Sequence, residues 1–207
     1  MLGARVYINE RSFTIGETLA RPRTVTDQAI LDGALEVANR RGPANVTFAS
    51  VSAVVGLSPA TLVQRFGTKE ALLRAALERA WDLLDEATAR EDERQPVTPD
   101  GAVALVTALW PEGQGDEAYA EGLLLLYEDM RDPVLRARGV RWRAALMQAL
   151  GRRLASDPAR QDELGRLMAS QWQGAQIWWA FEREGRGREA VAAELRTWLK
   201  ALAVDKP

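Results

Sequence analysis

From about Thr26 onward, apolar residues recur at helical spacing, and no convincing strand run follows residue 25. In TVTDQAILDGALEVANRRG, Ile30, Ala34, Val37 and Ala38 fall on one stripe with Leu31 and Leu35 beside it, which predicts an amphipathic helix. Thr24 or Thr26 caps its start, Arg40 and Arg41 suit the negative end of its dipole, and Gly42 suits a left-handed stop. Three more helices are predicted in the next stretch. Thr47 caps a short one ending near Val55, and Gly56 supplies a turn. Ser58 caps a second, with Pro59 at its first position, where the missing N–H costs nothing, and this helix ends at Phe66–Gly67. Thr68 caps a third, and Leu72, Leu73, Ala76, Leu77, Ala80, Trp81 and Leu84 carry it to about Arg94.

The remainder reads as helices separated by breaks at QPVTPDG, PEGQGD, SDPAR and EGRG. Residues 100–110 form a modest helix stopped by Pro111. AYAEGLLLLYEDM forms one that stops before Pro133, and VLRARGVRWRAALMQALGRRLA an amphipathic basic one. Two more are predicted over Gln161–Glu184 and Arg188–Val204. No solenoid repeat is present. The expected fold is all-α. Residues 1–23, with strand-like spacing of Val6, Ile8, Phe13 and Ile15 broken by Gly16 and Pro22, are set apart as an N-terminal arm or extension.

Composition narrows the chemistry sharply. The chain has neither Cys nor His, which removes disulfides, thiol redox chemistry, Cys/His zinc sites, Cys nucleophiles and Ser-His-Asp triads. The remaining acid–base groups include Glu121, Glu128 and Asp129, but Glu128 and Asp129 are neighbours on one helix and point about 100° apart. EGRGR lacks the Lys-Ser/Thr of a phosphate loop. No catalytic group, cofactor or metal is expected, and the chain is not read as an enzyme. The start lacks a signal-peptide apolar core, no apolar run reaches membrane-spanning length, and the absence of thiols fits a cytoplasmic protein without a membrane partner. The formal net charge is −2 overall. Residues 1–79 hold ten basic and seven acidic side chains, so a mildly basic head sits on an acidic body.

Two short helices joined by a tight Gly-containing turn, the second opening with a cap and Pro, describe a helix-turn-helix. The stretch from Ile30 to Leu73, through ILDGAL, RRG, Thr47 and GLSPATLVQRFGTKEALL, resembles the DNA-binding domain of the TetR (tetracycline repressor) family of transcriptional regulators. That resemblance implies a three-helix DNA-binding domain over 24–73 and a helical ligand-binding and dimerisation domain over 74–207. It implies phosphate contacts at the positions of Thr47, Thr61, Gln64, Arg65 and Lys69, and base-edge contacts at Ala49, Pro59, Ala60 and Val63. The physical reading agrees for the first group, since hydroxyls and cations at helix starts bind phosphate well. A salt bridge on the helix surface is the alternative role for Arg65. The second group departs from the family. A Tyr is usual where Val63 stands, and a longer polar residue is common where Pro59 stands. Apolar side chains read thymine methyls but make no bidentate bonds to G or A. Sequence reading then falls to Gln64, Arg65, DNA shape, or Arg21 and Arg23 ahead of the first helix, which otherwise form a solvated linker.

The resemblance also implies a double-stranded DNA operator, a small-molecule effector and a homodimer formed through the last two helices. Gln161–Glu184 carries apolar residues around its circumference and the final helix a stripe of Val191, Leu195, Trp198, Leu199 and Leu202, which suits a core on one side and a partner on the other, a single intrachain core being the alternative. All seven Trp lie beyond residue 79, outside the short helices. Trp110, Tyr127, Trp142, Trp172 and Trp179, with Gln173 and Gln176 to orient a ligand, are candidates to line a largely apolar or aromatic small-molecule site. Aromatic residues at helical spacing also simply fill cores. The expected function is a ligand-responsive regulator, a repressor released from its operator by a small molecule. The alternative is a dimeric small-molecule-binding protein of the same fold without operator recognition.

Overall fold

The computed structural model describes residues 25–110 and 117–202, with only the backbone of 117–121. Among these residues every regular element is helical. The order is α1 (Asp27–Arg41), a 3-10 turn (Pro43–Asn45), α2 (Phe48–Val55), α3 (Pro59–Phe66), α4 (Lys69–Arg94), α5 (Pro99–Ala108), α6 (Glu117–Arg131), α7 (Pro133–Leu154), α8 (Pro158–Glu182) and α9 (Gly187–Ala201). The expected all-α class is observed. The expected arm, residues 1–23, lies outside the described residues, as do the PEGQGD break and residues 203–204 of the expected last helix.

The predicted caps set most boundaries. The hydroxyls of Thr26, Thr47, Ser58 and Thr68 each accept from the backbone N–H three residues on, satisfying a donor that the helix itself leaves unpaired. Two boundaries differ from the sequence reading. The turn Pro43–Asn45 between α1 and α2 lacks a periodic signal because three residues are too few to carry one. The stretch SDPAR is only partly a break. Asp157 caps α8 through Arg160 N–H and Pro158 occupies its first turn, so this Pro starts a helix rather than ending one.

A small core joins α1 to α4. Ile30, Ala34, Leu35, Val37 and Ala38 pack with Val46, Val51, Leu62, Leu72 and Ala76, all buried. The core then runs without interruption into the helical body, because α4 continues unbroken past residue 73 and buries Leu77, Ala80, Trp81, Leu84 and Ala87 there. In the body, α7 and α8 form the most intimate pair. Their backbones nearly touch: a Cβ on Gly165 would fall 2.1 Å from Met147 O, and one on Gly151 would fall 2.3 Å from Gln161 O. Any side chain at either position would drive the helices apart.

Charge fixes α4 against α7. Arg138 donates to Asp82 at 2.7 Å and Asp85 at 2.8 Å, and Arg74 pairs with Asp132 at 2.7 Å. At the far end Arg153 is 1% exposed. Its five N–H donors meet five acceptors: Asp92 Oδ1, and the carbonyls of Ala149, Asp92, Gln95 and Pro96. Three of those carbonyls belong to the frayed end of α4 and the loop after it, which would otherwise be orphaned. Beside them Glu91 is pushed up by burial, but hydrogen bonds from Gln95 and Arg94 outweigh this and hold its carboxyl below the ordinary value.

Asp132 gives a test of this electrostatic frame. Burial raises its pKa, yet the backbone N–H groups of Val134 and Leu135 and the Arg74 guanidinium together pull it below the ordinary 3.8. A carboxyl depressed on folding adds stability above its unfolded pKa and loses it as pH falls through the folded value. Asp132→Ala is expected to lower stability at neutral pH by about 1 kcal/mol, the usual worth of a capping side chain. Urea titrations over a pH series will show the difference from the parent narrowing below pH 3.8 and not above it.

Candidate nucleic-acid interface and aromatic core

The turn between α2 and α3 is built locally. Gly56 takes a left-handed conformation at φ 72°, where a side chain would be strained. Ser52 Oγ donates to Leu57 O across the turn, and Ser58 Oγ shares a hydrogen bond of 2.9 Å with Thr61 Oγ1. Leu62 is the inward anchor of α3 and is fully buried. Opposite it, Pro59, Ala60, Val63 and Gln64 are exposed, and Ala49 is exposed at the start of α2. The four residues matched to base edges and the polar Gln64 therefore share open surface on the two short helices.

The residues matched to phosphates frame that surface differently. Thr47 is half-buried and committed to a capping box, its hydroxyl accepting from Ser50 N–H while Ser50 Oγ accepts from Thr47 N–H. Lys69 is exposed at the first position of α4, with Glu70 3.8 Å away. Arg65 is bound within the protein. Its Nη1 donates to Val25 O at 2.7 Å and to Asp27 Oδ1 at 3.1 Å, tying the end of α3 to the start of α1. This is the helix-surface ion pair weighed for Arg65. Asp27 had no sequence signal for the role, because it lies 38 residues away. The neighbouring seam between α1 and α4 carries Asp32, whose pKa burial pushes above the ordinary value while Arg79, 3.4 Å away, opposes the shift.

In the body most of the aromatic candidates converge. Trp81, Trp142 and Trp172 form a row with ring centroids 6.0 Å and 6.4 Å apart, and Trp110 meets Trp179 edge-on at 5.2 Å. Trp142, Trp172, Trp179 and Gln176 are buried, and Trp110 and Gln173 are half-buried. The indole N–H of Trp81 donates to the buried Asp129, and that of Trp142 to Thr88. Tyr127 does not join them. It is 54% exposed on α6, and its ring lies beneath the Arg131 guanidinium. The spacing of α6 alone could not decide this, since the helix is apolar around much of its circumference. A second aromatic pair, Trp178 and Phe181, also lies outside, 63% and 78% exposed on α8.

A short, capped helix standing on a three-helix core, joined through a long helix to a larger helical body, defines a helix-turn-helix protein with a larger all-α body. Residues 30–76 match the family described as bacterial regulatory proteins, tetR family. Over that segment the chain is similar to the TetR family of transcriptional regulators. No curated protein matches the chain significantly. Among solved structures, a protein from Saccharomonospora viridis assigned as a transcriptional regulator, in complex with choline, is 20% identical with a TM-score of 0.62, covering 84% of this chain and 95% of that one. A protein from Rhodococcus sp. assigned to the TetR family is 22% identical with a TM-score of 0.56, covering 86% and 96%. The multidrug binding protein EbrR complexed with proflavin is 23% identical with a TM-score of 0.54, covering 84% and 98%. These likenesses span both the short helices and the body, and they establish the shared fold.

The local construction of α3 predicts its sensitivity. Ser58→Ala removes the side-chain acceptor for Thr61 N–H and is expected to cost about 1 kcal/mol, whereas Ser58→Gly costs only a few tenths. Chemical denaturation of the two variants checks the order.

Proposed function

We propose that the protein is a ligand-responsive, DNA-binding transcriptional regulator, a repressor that a small, largely apolar or aromatic molecule releases from its operator. The observation that carries the reading is the open face of α2 and α3. Ala49, Pro59, Ala60 and Val63 face solvent there beside Gln64, with Lys69 at the adjoining helix start. Such a face enters a major groove with its apolar residues against thymine methyls and its polar rim against phosphates. Thr47 and Thr61 stand at helix starts, where the dipole favours an anion. Arg65 reaches a phosphate with the donors that Val25 and Asp27 leave over. Residues 24–73 act as the DNA-binding domain, and residues 74–207 bind the effector and form the dimer.

The aromatic core of Trp110, Trp142, Trp172 and Trp179, with Gln173 and Gln176, is the place for the effector in this reading. The choline and proflavin complexes of structurally similar proteins support a small-molecule site in such a body. Tyr127 contributes from outside that core, at the surface of α6. Dimerisation runs through α8 and α9. Leu167, Trp178 and Phe181 form an exposed apolar face on α8, and Gln171 donates to Glu194 to join the two helices. A dimer places two α3 helices about 34–36 Å apart on one side of a duplex. Effector binding favours a spacing that no longer fits the groove, so ligand and DNA weaken each other reciprocally, with a coupling of about 2–3 kcal/mol or roughly 30- to 150-fold.

The apolar face of α3 also motivates the second reading, a dimeric small-molecule-binding protein without operator recognition. Fluorescence anisotropy against the DNA flanking the gene, beside a scrambled duplex and at two salt concentrations, separates the two. The regulator binds the flanking DNA more tightly at both salts. Arg65→Ala and Lys69→Ala each weaken binding and flatten the log–log salt dependence by about one. Asp27→Asn keeps the Val25 acceptor, removes the opposing charge, and tightens binding. A folded parent that binds neither duplex returns the second reading.

The interface has its own test. Trp178→Glu combined with Phe181→Glu is expected to yield a folded monomer by analytical ultracentrifugation. Operator affinity should fall by at least about tenfold, since one half-site must then serve alone.

A further inference from the structure

Two buried polar atoms in the middle of α8 differ from those of the buried Trp81 and Trp142 beside them. Trp81 and Trp142 each direct the indole N–H at a protein acceptor, Asp129 and Thr88. Trp172, fully buried on α8 at the end of this row, has no hydrogen-bond partner for Nε1. One turn later Gln176 is also fully buried, and its Oε1 has no partner either. The Gln176 amide is not free to turn and hide this. Its Nε2 donates to Trp172 O at 3.3 Å, which leaves Oε1 as the open end. A buried donor and a buried acceptor thus lie one helical turn apart on the same face. Buried polar groups are ordinarily satisfied, and Phe and Leu would occupy the two places without a polar atom to desolvate.

The surroundings narrow what satisfies them. The buried residues of α8 are Leu164, Gly165, Met168, Ala169, Trp172, Ala175, Gln176 and Trp179, none of them charged. Buried charges elsewhere have partners: Arg153 has its five acceptors, Glu91 has Arg94 and Gln95, and Asp129 receives Trp81. An ionic group brought to Trp172 and Gln176 would meet no counter-charge from α8, and burying an unpaired charge is far more costly than burying an amide. The Trp142 ring, 6.4 Å from Trp172, gives the place a flat aromatic wall.

Resting on the reading of the body as an effector domain, we propose that the effector is a neutral, planar molecule carrying a carbonyl beside an N–H, of carboxamide or lactam type. Trp172 Nε1 donates to its carbonyl, and its N–H donates to Gln176 Oε1. The two contacts orient the ligand, while the tryptophans supply the apolar contact that any aromatic molecule would share.

The test uses the full chain and four simple probes: benzamide, ethylbenzene, benzoate and benzyltrimethylammonium, titrated by ligand-observed NMR. Benzamide is expected to bind about tenfold more tightly than ethylbenzene, as one to two net hydrogen bonds allow, and more tightly than either ion. Trp172→Phe and Gln176→Leu are each expected to remove most of that preference while melting no lower than the parent. Ethylbenzene binding as well as benzamide overturns the proposal. So do a preference for either ion, a benzamide preference that survives in both variants, and the absence of binding by all four probes. Operator binding measured on the same preparation keeps the two readings apart. DNA binding without a benzamide preference overturns the ligand chemistry alone. A benzamide preference without DNA binding upholds the ligand chemistry and leaves the second functional reading.

Discussion

The guanidinium of Arg153 decides how the two ends of the molecule are joined. A buried cation is tolerable only when each of its donors is met, and here the acceptors are supplied by the end of α4, the loop behind it and one carboxylate, Asp92. Four of its five bonds terminate α4 and fasten it to α7, and the fifth closes on Ala149 O within α7. Hydrophobic contact between the two helices would tolerate sliding by a turn. Arg153 does not, because a shift of either helix strands several donors at once.

Along the rest of the seam the pairs are more exposed, and each contributes little by itself. Their value lies in direction. α4 offers Asp82, Asp85 and Asp92 to the arginines of α7, so only one alignment of the pair brings all of them together. α7 is in turn held by its backbone against α8 at Gly151 and Gly165. The body therefore has a stiff half, α7 with α8, to which α4 is paired along its length and held most firmly at the Arg153 end. The short helices hang from the other end of α4, where Leu72 and Ala76 pack against α1.

Much of this was legible along the chain, for identifiable reasons. Caps and glycines act within three or four residues, so Thr47, Gly56, Ser58 and Thr68 could be read directly, and with them the helix-turn-helix. Pro158 was misread because Pro carries opposite meanings at a helix start and in its interior, and only the Asp157 cap tells them apart. Long-range partnerships left no trace. Asp27 with Arg65, and Asp92 with Arg153, involve ordinary charged residues whose meaning depends on the fold. The aromatic candidates were separable only by burial: Trp172 and Tyr127 look alike at helical spacing, but one is enclosed and the other lies at the surface. The DNA-facing assignments rest on the family pattern, and the apolar character of Pro59 and Val63 is this chain's own departure from it.

Fastening α4 most tightly at one end, with only exposed pairs elsewhere, gives it the geometry of a lever. Its 26 residues span about 39 Å at 1.5 Å per residue. A tilt of only about 5° about the Arg153 end would carry Lys69 roughly 3 Å sideways, close to the spacing of one base pair along a duplex. The aromatic row lies against α4 between the fulcrum and the moving end, through Trp81 and the Thr88 bond to Trp142. A small displacement there would be multiplied in proportion to distance before it reached α3.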